Sequence, residues 1–243
     1  GNGTWSTGVS VADVNGVGLL DIYVCHSGKY PAPELANELF INTGSVKGVP
    51  QFKESARACG LDAPGSQSTQ AAFLDYDRDG DLDMFLLNHS VHTYYAFLNT
   101  RKIRATPDYR YGNRLFRNDT PPQSRQKKIS DLVFKDVTLE SGIINIPLNY
   151  GLSVNVSDIN QDGWSDIYVT NDYLSNDVMY INRGNGTFED QAAKYFKHTS
   201  HSAMGNDVID VNNDGLPDVI ALDMLPEDNF RKKTMLPPNN YTT

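Results

Sequence analysis

No stretch of eighteen consecutive apolar residues occurs in the 243-residue chain, which excludes a membrane-spanning helix. Cysteine is scarce. Cys25 and Cys59 are too few for a disulfide scaffold and fit buried small apolar positions better than a bridge. Positive charge is also short, with 21 Lys and Arg against 30 Asp and Glu, and the resulting net charge of -9 argues against general nucleic-acid binding. Nucleophile elbow, phosphate loop and paired Cys and His are all missing. Two His-x-x-His pairs occur, His89 with His92 and His198 with His201, but neither lies in the Glu-containing helical context of a zinc protease. Hydrogen-bonded loop histidines are the expectation. No low-complexity or long charged tract is present, and 39% hydrophobic residues suffice for a folded core. No signal peptide is visible; the opening "GNGTW" reads as the end of a preceding repeat, with any targeting segment upstream.

What the chain does have is aspartate in a fixed pattern. "DYDRDGDLD", from Asp75 to Asp83, crowds carboxylates that repel one another unless a cation neutralises them. Alternate aspartates with a glycine at the sixth place suit a hard ion with six to eight oxygen ligands, and calcium is the first candidate. An EF-hand loop would need a bidentate Glu at its twelfth position, where this chain has Leu86, and "DMFLLN" follows as a short strand. The pattern returns as "DVNGVGLLD" from Asp13, "DINQDGWSD" from Asp158 and "DVNNDGLPD" from Asp210. Expected calcium ligands are Asp75, Asp77, Asp79 and Asp83; Asp158, Asn160, Asp162 and Asp166; and Asp210, Asn212, Asp214 and Asp218. Backbone carbonyls of Asp81, Trp164 and Leu216 would complete the three shells. The first loop has Val17 where the others have Asp79, Asp162 and Asp214, so Asp13, Asn15 and Asp21 are expected to bind weakly or not at all, their hairpin being held by hydrogen bonds.

More than the loop repeats. Apolar segments precede each copy, and "NELFINTG", "NRLFRNDT" and "DVMYINRG" then "FKESARACGL", "FKDVTLESGI" and "FEDQAAKYFK" follow the first three. These read as third and fourth strands. Four short strands per unit, repeated, describe an all-β propeller of four-stranded antiparallel blades. Units starting near residues 4, 69, 150 and 202 give three complete blades and one further hairpin, so the chain is expected to cover part of a larger ring without an internal domain boundary. A self-closed four-bladed ring would need strands from 229–243, whose "LPPNNYTT" is poor strand material.

These strings resemble the FG-GAP or VCBS repeat proteins, related to the propeller of the integrin α-subunit. "STGVSVADVN", "STQAAFLDYDRDGDLD" and "MGNDVIDVNNDGLPDVIALDMLPEDN" are similar to the ASPIC/UnbV-type, cartilage-acidic-protein-like group. The resemblance implies a calcium-braced propeller on a secreted or cell-surface lipoprotein, outer-membrane-associated, accompanying SusC/SusD-type transporter complexes. It also implies that the aspartate loops share one face and the longer connections the other.

Those connections are where binding residues are expected. The longest, from Asn88 to Gly112, overlaps a basic segment from Arg101 to Lys128 that stands out from an acidic chain. His89, His92, Tyr95, Arg104, Tyr109, Arg110 and Tyr111 are the expected anchors for a protein partner or a glycan or peptide ligand, since arginine and tyrosine are favoured at interfaces. The leading function is therefore non-enzymatic binding and assembly. The alternative is a lyase or hydrolase domain using the same face, with carboxylate pairs such as Asp172 and Asp177.

Overall fold

The structure, a computed structural model, describes residues 4–91, 100–121, 129–172, 175–224, 227, 228 and 230. It contains three four-stranded antiparallel sheets and one hairpin, in chain order. The first sheet is β1 (Trp5–Ala12), β2 (Asp21–Ser27), β3 (Glu38–Val46) and β4 (Val49–Glu54). The second is β5 (Ser68–Leu74), β6 (Asp83–Asn88), β7 (Arg114–Asn118) and β8 (Phe134–Asp136). The third is β9 (Gly151–Ser157), β10 (Asp166–Asn171), β11 (Val178–Asn182) and β12 (Phe188–Asp190), and the hairpin pairs β13 (Ala203–Ile209) with β14 (Asp218–Asp223). Within every sheet the strands are hydrogen-bonded in sequence order, an all-β arrangement consistent with propeller blades. The 229–243 tail that a four-bladed ring would require lies outside the described residues, except for Phe230.

An aspartate loop joins the first and second strands of each unit. Its fourth residue (Gly16, Arg78, Gln161, Asn213) and its sixth (Gly18, Gly80, Gly163, Gly215) all have φ between 58° and 90°. The sixth is invariably glycine, the residue that enters this left-handed region without steric cost. The tight turn lets the ladder start at once, with Ala12 opposite Asp21, Leu74 opposite Asp83, Ser157 opposite Asp166 and Ile209 opposite Asp218.

The core lies between successive units rather than within one. Tyr23, Cys25 and Leu39 of the first unit cluster with Ala71, Met84, Leu86 and Phe116 of the second. Phe85, Leu87 and Leu115 meet Val154, Ile167 and Tyr180 of the third, and Tyr168 and Met179 meet Val208 and Val219 of the hairpin. Strand alternation makes this work, because one face of each strand points to the preceding unit and the other to the next. Cys25 and Cys59 are both buried in the first cluster as free thiols.

The first strands of consecutive units lie side by side, and each carries a bulge near its start. At two bulges a threonine projects between units. Thr7 donates its hydroxyl to Cys25 O (3.2 Å) and Ser68 O (2.6 Å), and Thr69 donates to Leu87 O (3.2 Å) and Gly151 O (3.1 Å). Asn206 of the hairpin reaches back to Ser153 O at 3.1 Å. The approach is close: a Cβ on Gly8 would stand 2.2 Å from Thr69 O.

Candidate metal loops and the opposite loop surface

Each loop is built on its ninth residue. The Oδ2 atoms of Asp21, Asp83, Asp166 and Asp218 accept hydrogen bonds from the amides of Val14, Tyr76, Ile159 and Val211 at 2.9–3.1 Å. In the three complete units the Oδ1 atom accepts from a third-strand amide, that of Asn42 (2.7 Å), Asn118 (2.8 Å) or Asn182 (2.8 Å). Those asparagines return a side-chain Nδ2 bond to the eighth loop residue, Leu20 O, Leu82 O or Ser165 O. Sequence reasoning passed over Asn42, Asn118 and Asn182. The signal was present as the asparagine shared by "INTG", "RNDT" and "INRG".

The first residue of each loop accepts from the sixth-residue amide: Gly18 to Asp13 (2.6 Å), Gly80 to Asp75 (3.2 Å), Gly163 to Asp158 (2.8 Å) and Gly215 to Asp210 (2.8 Å). The other oxygens differ. Asp75 Oδ1, Asp77 Oδ1 and Asp158 Oδ1 are buried and accept no hydrogen bond. Asp13 Oδ1, in contrast, accepts from Val17 N at 3.0 Å, and Asp210 Oδ1 from Asp214 N at 3.1 Å. Asn15 Oδ1 in the first loop is buried and without a donor too.

Carboxylate oxygens of Asp75, Asp77 and Asp83 lie within 4.8 Å of one another, the one such group among the described residues. Burial pushes the Asp83 carboxyl up to about 8 against the hydrogen bonds from Asn118 and Tyr76, with the charges of Asp77 and Asp81 adding to the rise. Asp77 is raised by burial and then by Asp79, and Asp21 and Asp166 are raised by burial. Convergent acidic oxygens lacking donors are costly alone and match the oxygen-only, carboxylate-rich shell of a hard divalent cation. Asp79 Oδ1 accepts from Asp81 N (3.1 Å), while Asn160 Nδ2 donates to Asp162 Oδ2 (2.9 Å) and Asp162 Oδ1 accepts from Trp164 N (2.9 Å). In the fourth loop Asn212 Oδ1 accepts from Asp214 N (2.9 Å), and Asp214 Oδ1 from Leu216 N (2.8 Å).

Neighbouring loops are linked by their fourth residues. The Arg78 guanidinium stacks on Trp164, and Gln161 Nε2 donates to Gly215 O at 2.6 Å. Gly16 has no side chain to do the same, and a cavity of about 160 Å³ separates the first two loops there, lined by Asp13, Asn15, Gly16, Gly80 and Asp81.

At the other ends of the strands, the β6–β7 connection carries the short helix α1 (Thr100–Arg104) and then a pinned segment. Asp108 N donates to Asn145 Oδ1 (2.7 Å), Asp108 Oδ1 accepts from Arg110 N (2.9 Å), and Ser66 Oγ and Gln67 N donate to Tyr109 O and Arg110 O. Arg104 and Arg110 are exposed, and Tyr109 is 46% exposed with Arg114 against its ring, 5.5 Å from the centroid. Tyr111 corrects the sequence expectation. At 5% exposure it belongs to the packed base of the segment and is not an accessible anchor. His92 and Tyr95 lie outside the described residues.

The basic segment is not one surface either. Arg114 and Arg117 fall in β7, where they pair with Asp136 (2.7 Å) and Asp119 (2.5 Å), and Arg125, Lys127 and Lys128 lie outside the described residues. A run of like charges in sequence is divided as soon as a strand passes through it. His89 packs edge-on against Tyr150 (5.5 Å between centroids), and burial holds its imidazole below the usual histidine range. His198 borders a pocket with Asp177 and Asp190, and His201 Nδ1 lies 3.3 Å from Ser202 Oγ. Asp177 is taken up structurally, accepting from Tyr168 OH (3.0 Å) and Asn171 N (2.9 Å).

Comparison with known families resolves what such loops belong to: residues 13–86 and 158–221 match the FG-GAP-like repeat. The chain belongs to the FG-GAP-like repeat family. Both matched segments open on the first aspartate of a loop. Curated proteins give no match. Among solved structures, one from a study of non-reducing terminal N-acetylglucosamine recognition by an Agrocybe aegerita lectin is 16% identical, covering 90% of this chain and 62% of that one. Its TM-score of 0.34 is too low to carry an argument. This chain thus spans less than two thirds of that protein's length.

Proposed function

We propose that the chain is a calcium-braced, non-enzymatic binding module of the ASPIC/UnbV type, forming an arc of a larger propeller on a secreted or cell-surface protein. The observation that carries the calcium part is the set of buried oxygens without donors at Asp75, Asp77 and Asp158. Asp75, Asp77, Asp79 and Asp83 would hold one ion, with Asp81 O. The second would rest on Asp158, Asn160, Asp162 and Asp166, and the third on Asp210, Asn212, Asp214 and Asp218. The ion would supply charge neutralisation to each hairpin. The first loop, with Val17 in place of a ligand, would bind weakly or not at all.

Binding is assigned to the surface of the β6–β7 connection. Tyr109, Arg110 and Arg104 are exposed, and the first two stand on a segment fixed by four hydrogen bonds, so a partner would meet a preorganised aromatic and cationic edge. The partner class is a protein of an outer-membrane uptake or adhesion assembly, SusC/SusD-type transporters being the first candidates. The test is Tyr109→Ala with Arg110→Ala, sparing Tyr111. Loss of partner co-purification with unchanged melting is expected; a double variant that keeps its partner would sink the assignment.

A further inference from the structure

The fourth residue of one aspartate loop reaches the sixth or seventh residue of the next. Arg78 lies over Trp164, the seventh residue of the third loop, and Gln161 donates to Gly215 O, the sixth of the fourth. At the first junction the fourth residue is Gly16, and the seventh residue of the receiving loop is Asp81. A carboxylate thus holds the place at which Trp164 receives the Arg78 guanidinium. Among the described residues, no lysine or arginine lines the gap between these two loops.

The walls of that gap are rich in oxygen. Its volume of about 160 Å³ is several times the roughly 10–15 Å³ that one water needs. The Asp13 carboxylate has about four lone-pair sites, and the amides of Val17 and Gly18 take two of them. Asn15, also in the wall, is 3% exposed, yet its Oδ1 accepts no hydrogen bond. A buried amide oxygen in that condition calls for a partner of another kind. Asp81 brings a second carboxylate from the neighbouring loop. Two carboxylates and an amide oxygen around a space that holds water are a donor set for a hard divalent cation that keeps part of its hydration shell.

We propose that such a cation sits between the first two loops on Asp13, Asn15 Oδ1 and Asp81, and ties them together as Arg78 ties the second loop to the third. The place differs from a calcium position within either loop. It needs no ligand where Val17 stands, and it uses the Asp81 side chain, whereas the second loop's own ion would use the Asp81 carbonyl. The inference does not rest on calcium in the other loops.

Gly16 offers a way to replace the ion by a side chain. A Cβ there would meet nothing within 4 Å, and Arg78 holds the corresponding place at φ 60° against 66° for Gly16. Gly16→Arg therefore supplies from the chain the charge that the ion supplies.

Equilibrium dialysis against saturating calcium, counting bound ions per chain, tests the proposal. Wild type should bind one ion more than Asp81→Ala and one more than Gly16→Arg. The double variant should also be short by one, because both changes empty the same place. Cooperative melting of each variant in chelator shows that it folds. Either single variant binding as many ions as wild type overturns the proposal, as does a double variant short by two, which would mean that two different ions were lost. Failure of the two calcium readings is distinguishable. If only the ions within the loops are absent, wild type binds a single ion that Asp81→Ala removes; if only the junction ion is absent, Asp81→Ala leaves the count unchanged and calcium-dependent melting intact.

Discussion

Arg78 lays its guanidinium over the indole of Trp164, 4.4 Å from the ring centroid, and so ties the second aspartate loop to the third. Its backbone sits at φ 60°, where glycine is easier, and the first loop does use glycine at this place. Arg78→Ala should lower stability by about 0.5–1 kcal/mol through the lost cation–π contact at this exposed site. Arg78→Gly should cost less, because it relieves the backbone. Thermal melts that put Ala and Gly level with wild type would leave the stacking without energetic weight.

Asp79 and Asn118 should separate metal binding from scaffolding. Asp79→Ala is expected to lower the melting temperature in calcium and change little in chelator, because an ion that binds only the folded state stabilises by mass action. Asn118→Ala removes the side-chain bond to Leu82 O and should cost about 0.5–1.5 kcal/mol in both buffers. Equal losses for Asp79→Ala with and without calcium would count against a metal role.

His89 sets a pH dependence. Burial lowers its folded value below the unfolded one, with the Asp172 charge opposing in part. The unfolded chain then binds the proton first as pH falls, so the contribution is complete above the ordinary histidine value of roughly 6.5 and is lost below it. A steeper loss of melting temperature between neutral and mildly acidic pH in wild type than in His89→Phe is the expected outcome. Parallel curves would refute it.

The contact between β1 and β5 should be intolerant of a single methyl group. In Gly8→Ala the new Cβ would meet Thr69 O at 2.2 Å, so the strands must part, and a loss above that of an ordinary surface substitution is expected. Thr69→Val, which keeps the volume but removes the hydroxyl bridging Leu87 O and Gly151 O, should cost about 0.5–1.5 kcal/mol. Denaturant melts of both variants check this, and wild-type midpoints for the pair would show that the bridge is dispensable.

The aspartate loops were legible because glycine and aspartate at fixed offsets answer to local demands: a left-handed turn at Gly80 and carboxylates within one short hairpin. Strands were read from short apolar runs beside each loop, and β1, β5, β9 and β13 begin at Trp5, Ser68, Gly151 and Ala203. The role of Asn118 was hidden because its partners, Asp83 and Leu82, are 35 and 36 residues away, and no local pattern announces a bond across that distance.

Sequence by itself determined the repeat, read from one string recurring along the chain, and the turn chemistry, a property of residues within about ten positions of one another. Only the tertiary structure decided which tyrosine is a surface and which is a base. Tyr109 and Tyr111 are two residues apart in the same basic run, yet one is 46% and the other 5% exposed, because a pinned, irregular segment carries no periodicity from which side-chain direction can be read. The same holds for Val9 and Ala71: their sequence settings are alike, and what separates an exposed side chain from a buried one is whether another unit stands beside it.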